Sequence, residues 1–128
     1  LTMSIITMAV SLPWGGTYWP AGANIAPTVL SALAWVESHN VLPNHSLKFT
    51  WFDTACSSSR AEEIFPLVHS LFDPDVYIGP GCSGASESGM NAVAAATGAD
   101  FPVPLISWGA GSPALGVLAD YPMFSRVV

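Results

Sequence analysis

Charge is what this sequence has least of. Only 9% of its 128 residues are charged, against roughly 25% in an average soluble domain. Basic residues are the scarcest: Lys48, Arg60 and Arg126 face nine acidic residues, for a net charge of -6. That sign is wrong for neutralising phosphates or anionic headgroups, which excludes nucleic acid as a partner and argues against a membrane surface. Long apolar runs are missing too. The chain is 51% hydrophobic and its mean hydropathy is +0.47. Even so, Pro, Gly, Ser and Asn interrupt every window, and no stretch of roughly 18 residues is apolar enough to cross a bilayer. The opening residues lack the basic flank of a signal peptide, and Leu1 stands where a start methionine would be. The expectation is a piece of something larger, with its targeting signals elsewhere. Cysteine is nearly absent: Cys56 and Cys82 are too few for a disulfide mini-scaffold and leave the redox compartment open. What remains is one domain, or part of one, long enough to bury a core.

What the sequence does have is alternation of strand-like and helix-like segments. Met3 to Leu12 is an apolar, β-branched run that reads as a buried strand, closed by Pro13-Trp14-Gly15-Gly16. From Ala21 to His39, Ile25, Val29, Leu33 and Val36 recur at steps of three and four, the spacing of a helix, with Pro27 tolerable near its first turn. Leu47 to Phe52 alternates and reads as a second strand ending at Asp53-Thr54. Ser57-Ser58-Ser59 followed by Glu62 and Glu63 predicts a helix start, a hydroxyl capping free amides and carboxylates opposing the dipole. That helix runs to about Phe72, across Pro66. Val76 to Ile78 is a short third strand, Ser86 to Thr97 a third helix stopped by Gly98, Val103 to Ser107 a fourth strand, and Phe124 to Val128 one more.

Such βαβ units imply an α/β fold with a parallel sheet covered on both faces. Right-handed crossovers place the loops Pro13 to Trp19, Asp53 to Ser59, Gly79 to Ser86 and Trp108 to Gly116 on one edge, the edge where open α/β sheets bind ligands.

Several motifs on that edge can be weighed. Gly79-x-Gly81-x-x-Gly84 matches a dinucleotide fingerprint, but it follows the third strand, contains Pro80, and has no acidic residue on the next strand for a ribose. Tight turning into a helix explains the glycines as well, and consecutive amides there suit a small anion. Gly81-Cys82-Ser83-Gly84-Ala85 approaches a nucleophile elbow, yet His39, His45 and His69 all precede Ser83, the reverse of the order a hydrolase of that class needs. Histidines and cysteines show no metal spacing. Cys56 and Cys82 follow adjacent strands in sequence and share the loop edge. A bond between them would close about 26 residues and restrain the unfolded chain by roughly 3.5 kcal/mol, and two free buried thiols are the alternative. Asn44-His45-Ser46 is an N-glycosylation acceptor in what reads as a surface loop.

Together, Val76-Tyr77-Ile78-Gly79-Pro80-Gly81-Cys82, the Cys56 to Cys82 spacing, Val103-Pro104-Leu105-Ile106-Ser107-Trp108-Gly109-Ala110 and Phe124-Ser125-Arg126-Val127 resemble the extracellular ligand-binding region of natriuretic peptide receptors and other receptor guanylate cyclases. The likeness runs in order over nearly the whole chain. It implies a three-layer parallel sheet, the membrane-distal N-terminal lobe (residues 1–128) of a type I periplasmic-binding-protein-like fold whose second lobe is missing. It further implies a Cys56–Cys82 disulfide, a glycan on Asn44, and a chloride held by Thr54, Gly81 and Cys82, with no other cofactor. Family dimers pack through the first two helices, which singles out Trp35 and Phe72, although both residues would also serve simply facing the sheet.

The function these readings point to is non-catalytic: sensing of an extracellular peptide or small-molecule ligand by the ectodomain of a single-pass receptor, anchored by a segment outside this chain. Trp14, Trp19, Ser83, Trp108 and Ser112 are the candidate cleft residues. A class C receptor domain or a soluble periplasmic-type binding protein shares the fold, and a flavodoxin-like enzyme is the third reading. The excess of apolar residues is expected where a second lobe and a dimer partner pack, leaving the 128 residues alone poorly soluble.

Overall fold

A computed structural model describes residues 2–19 and 22–128. Five strands and three helices follow one another as β1 (Ser4–Ser11), α1 (Ile25–Ser38), β2 (His45–Phe52), α2 (Ser58–Phe72), β3 (Val76–Ile78), α3 (Ser83–Thr97), β4 (Leu105–Ser107) and β5 (Phe124–Arg126). The sheet is parallel throughout, in the order β2-β1-β3-β4-β5. β1 lies inside it, pairing Val10 with Trp51 on one side and Ile78 on the other. That position accounts for its near-continuous apolar sequence, since a parallel strand is covered on both faces.

Alternate residues of the strands feed two separate cores. Ala9, Phe52, Tyr77 and Leu105 pack with Phe65 and Val68 of α2 and Met90 and Val93 of α3. At the centre, the Tyr77 ring stacks on Phe65 with centroids 5.0 Å apart, and Phe52 meets both rings edge-on. The opposite face gathers Val10 and Leu12 with Met8, Phe49, Trp51 and Ile78 against Ala26 and Ile25 of α1. The result is three layers. They are unequally filled: in α1 only Ala26 is buried, and Val29, Leu33 and Val36 flank an apolar groove of about 440 Å³ over Ile6, Met8 and Ile78. Ile106 of β4, on this same face, remains exposed.

Local chemistry sets most boundaries. Ser57 caps α2 by accepting from the Arg60 amide at 3.3 Å. Gly98, at φ 69°, ends α3 and donates its amide to the Ala94 carbonyl, the left-handed close that glycine makes without penalty. Several expectations need correction. β2 begins at His45, two residues before the expected Leu47, so of the acceptor tripeptide only Asn44 lies in the loop. α1 begins at Ile25, after a 3-10 turn over Gly22–Asn24, and Ala21 lies outside the described residues. Glu62 and Glu63 fall beyond the first turn of α2, too far in for strong dipole compensation. α3 starts at Ser83, three residues earlier than expected, because Cys82, extended at φ -103°, already serves as its N-cap. β4 starts at Leu105, two residues later than expected. Pro104, just before it, has no N–H to donate but still accepts from the Tyr77 amide at 2.9 Å.

Candidate ligand-binding site

With every strand parallel, the loops after β1, β2, β3 and β4 emerge on one edge, and specific side chains tie them to one another. Asp53 makes the first link. Its Oδ1 accepts from the Ala55 amide at 2.7 Å and its Oδ2 from the Gly15 amide at 2.9 Å, so one carboxylate closes an Asx-type turn and holds the β1 loop against the β2 loop. Arg60 Nε donates to the Asp53 carbonyl at 2.7 Å. The second link is covalent: Cys56 and Cys82 form a disulfide, Cα atoms 5.5 Å apart, joining the β2 loop to the start of α3. Ala55 and Cys56 sit at φ 49° and 60°, conformations that cost a non-glycine residue about 1 kcal/mol or more each.

The third link is hydroxyl-mediated. Buried Ser107 donates to the Pro80 carbonyl at 2.6 Å while accepting from the Ala110 amide at 2.9 Å, which locks the β3 and β4 loops together. Ser83 accepts from the Ser112 amide at 3.0 Å. Arg126 reaches back from β5, donating to the Ser112 carbonyl at 2.8 Å and the Ala110 carbonyl at 3.3 Å. Gly81 is required by close approach: a Cβ there would lie 2.3 Å from the Trp108 ring.

The aromatic residues divide into two groups. The Trp19 indole donates to Cys82 Sγ at 3.1 Å and meets Trp108 edge-on, centroids 5.1 Å apart. Trp108 Nε1 borders Gly79 and, with Ser11 Oγ, is one of two buried side-chain polar atoms lacking a partner among the described residues. Trp14 stands apart, edge-on to Trp51 at 6.3 Å, over the β2 end of the edge. Of the cleft residues expected from sequence, then, Trp19 joins Trp108 and Ser83 joins Ser112, while Trp14 belongs to a separate aromatic group.

Asp53, Ser107 and Arg126 were not among the expected site residues. Asp53 carried a readable signal, an Asx residue directly after a strand; the other two act across the fold and carried none. Thr54 is buried at the end of β2, and Gly81 and Cys82 lead into α3. Trp35 and Phe72 are both exposed rather than facing the sheet, Trp35 stacking on His39 at 4.3 Å. Among the described residues no three His, Cys, Asp or Glu side chains gather as metal ligands, and no helix is long and apolar enough to cross a membrane.

The profile of a family described as "Receptor family ligand binding region" matches residues 25–128. The chain belongs to this receptor ligand-binding family. Solved structures agree on the fold. The branched-chain amino acid transporter substrate-binding protein of Streptococcus pneumoniae, determined with isoleucine, is 16% identical with a TM-score of 0.76, over 96% of this chain and 33% of that one. A possible leucine/isoleucine/valine-binding protein from Rhodopirellula baltica is 17% identical with a TM-score of 0.73, over 88% of this chain and 29% of that one. A solute-binding protein of an ABC transporter from Rhodopseudomonas palustris, in complex with 3,4-dihydroxybenzoic acid, is 15% identical with a TM-score of 0.72, over 95% and 31%. The chain thus spans about a third of the length of these proteins and matches the N-terminal lobe of their type I periplasmic-binding-protein-like fold. No curated protein matches it in sequence.

Proposed function

We propose that this chain forms one wall of a ligand cleft in the extracellular sensing domain of a receptor guanylate cyclase-like protein. The observation that carries the reading is the cross-linked loop edge. Asp53, the disulfide and Ser107 fix four loops before any ligand arrives, and such pre-organisation spares a ligand the cost of ordering them. The surface so presented is aromatic and neutral. Trp19 and Trp108 offer ring surface and Ser83 and Ser112 offer hydrogen bonds. The nearby ionic groups, Asp53, Arg60 and Arg126, are already engaged with backbone. A flat or aliphatic ligand with neutral polar groups suits this wall, and a second lobe would supply the rest.

Two further expectations belong to the same reading. Thr54 and the amides of Gly81 and Cys82 would hold a chloride beside the disulfide; in favour, Cys82 caps α3 without any side-chain hydrogen bond to its amides, leaving donors free at the positive end of the helix. Two copies would pair through α1 and α2, where Trp35 and Phe72 are exposed.

A soluble transport-type binding protein is the second reading, favoured by the transporter proteins among the structural neighbours. Sequencing the transcript past the Val128 codon separates the two. A second lobe followed by one membrane helix and a cyclase region supports the receptor. A second lobe and then a stop codon supports the soluble protein. An immediate stop codon would sink both.

A further inference from the structure

The face of the sheet turned away from Tyr77 is only partly covered by α1, and the helix's own sequence gives the reason. The side chains it turns to the sheet are mostly short: Val29, Ala32 and Val36 stand opposite Ile6 and Met8 of β1 and Ile78 of β3, and only Ala26, in the first turn, is buried. The groove of about 440 Å³ between them is lined by apolar side chains alone, and its size is that of a small-molecule pocket. Its walls are the helix on one side and three strands on the other. A flat protein surface does not reach between them; a methylene chain does. Met8 lies three residues short of the end of β1, about 10 Å at 3.3 Å per residue, so the groove is separate from the loop edge.

A second cavity adjoins it. Val36, Leu42 and Leu47 line the groove and also a neighbouring cavity of about 250 Å³, whose walls further include Glu37, Asn40, Asn44, His45 and Ser46. The two form one path, apolar within and polar at the mouth. Charge at that mouth is one-sided. Among the described residues Glu37 is its only carboxylate, and none of the three basic residues, Lys48, Arg60 and Arg126, lines either cavity. Lys48 follows Leu47 directly, but strand alternation sends it to the opposite face of β2. His45, the other titratable side chain there, engages the Pro43 carbonyl through Nδ1 at 2.9 Å.

We propose that this path binds a single-chain amphiphile with a cationic head, taken up one molecule at a time from solution. The alkyl tail lies between α1 and the sheet, and the head rests beside Glu37. A tail gives up no hydrogen bond on entering walls that offer none, and it removes from water both its own surface and that of Ile6, Met8 and Ile78. Met8, unbranched and flexible, lets the floor adapt to it. An anionic head would meet the Glu37 carboxylate with no cation to offset it.

The test is titration calorimetry of the disulfide-bonded chain with decyltrimethylammonium, decyl maltoside and decyl sulfate, each below its micelle-forming concentration. One molecule should bind per chain, the cationic probe about tenfold tighter than the sulfate, and shortening the tail to octyl should weaken binding about tenfold. A net charge of -6 can gather cations anywhere on the surface, so two variants decide. Ala32→Phe, at an exposed position, should abolish saturable binding of every probe. Glu37→Gln should erase the preference among heads while the maltoside still binds. On wild type, the methyl resonances of Ile6, Val29 and Ile78 should shift during the titration while those of Leu115, in the other core, stay in place. Binding that does not saturate, that survives in folded Ala32→Phe, or that leaves those three methyls unmoved overturns the proposal. Self-association that Ala32→Phe disrupts, without amphiphile uptake, assigns the groove to a second copy of the chain and overturns it equally.

Discussion

Removing the Cys56–Cys82 bridge, by Cys56→Ala with Cys82→Ala, separates two ways in which it can act. Closing a loop of 26 residues takes roughly 3.5 kcal/mol of conformational freedom from the unfolded chain. Part of that is offset, because Ala55 and Cys56, held at positive φ, are free to relax once the bond is gone, returning about 1–2 kcal/mol. The net loss expected is about 1.5–2.5 kcal/mol, a large share of a domain stability of roughly 5–15 kcal/mol. Urea unfolding followed by circular dichroism measures it, and the denaturant slope should also rise as the unfolded chain expands. The bridge also gives the Trp19 indole its acceptor, but Trp19 is 38% exposed, so that contact is worth less than about 1 kcal/mol. Trp19→Phe should therefore cost several-fold less than losing the bridge. If Trp19→Phe costs as much, the bridge works by seating the aromatic wall; if the double variant loses under about 1 kcal/mol at an unchanged slope, loop closure is not what the bridge contributes.

Three other perturbations test the packing and the site. Gly89→Ala sets helix propensity, worth about 1 kcal/mol in favour of alanine, against a clash: the new Cβ would lie 2.6 Å from the ring of Phe65. Phe65 is wholly buried and stacked on Tyr77, so it cannot yield and overpacking wins. A thermal melt should show a net loss of about 1–2 kcal/mol, and equal or greater stability would refute the rigid stack. Burial pushes the Tyr77 phenol above its ordinary range near 10, because the charged form is poorly solvated there. A folded pKa raised above the unfolded one contributes stability that is present below pH 10 and lost as pH rises beyond it. Wild type should lose stability above pH 10 more steeply than Tyr77→Phe, and parallel curves would contradict this. Asp53→Ala strands the amides of Gly15 and Ala55, at a cost of about 1–3 kcal/mol. Hydrogen exchange should accelerate at both amides together, and protection retained at Gly15 would break the proposed link between the β1 and β2 loops.

Much of this was legible one residue after another. The apolar run of β1, the helical spacing of Ile25, Val29, Leu33 and Val36, and the serine cap at Ser57 are local patterns governed by the periods of strand and helix. Their alternation was enough to expect a parallel sheet and to place Cys56, Gly81 and Trp108 on one edge. Helix starts rich in serine and glycine were less legible. Ser83 and Gly84 have weak intrinsic preference for helix and read as loop, yet they are helical in the fold, where Cys82 anchors the start of α3 and buried Ala85 and Ser86 follow directly.

What tertiary structure alone decided lies between segments. Whether Cys56 and Cys82 are bonded or free depends on the strand order, which puts β1 between β2 and β3 while the loops above still meet. Spacing along the chain carries no information about that meeting. The same holds for Ser107 locking Pro80, for Trp19 leaving Trp14 to join Trp108, and for Arg126 returning to hold the loop after β4. Periodicity determines which face a side chain occupies because it is set by the geometry of one strand or helix. Partners across a sheet edge are chosen by the packing of all of them at once, and at this site that packing makes four separate loops a single wall.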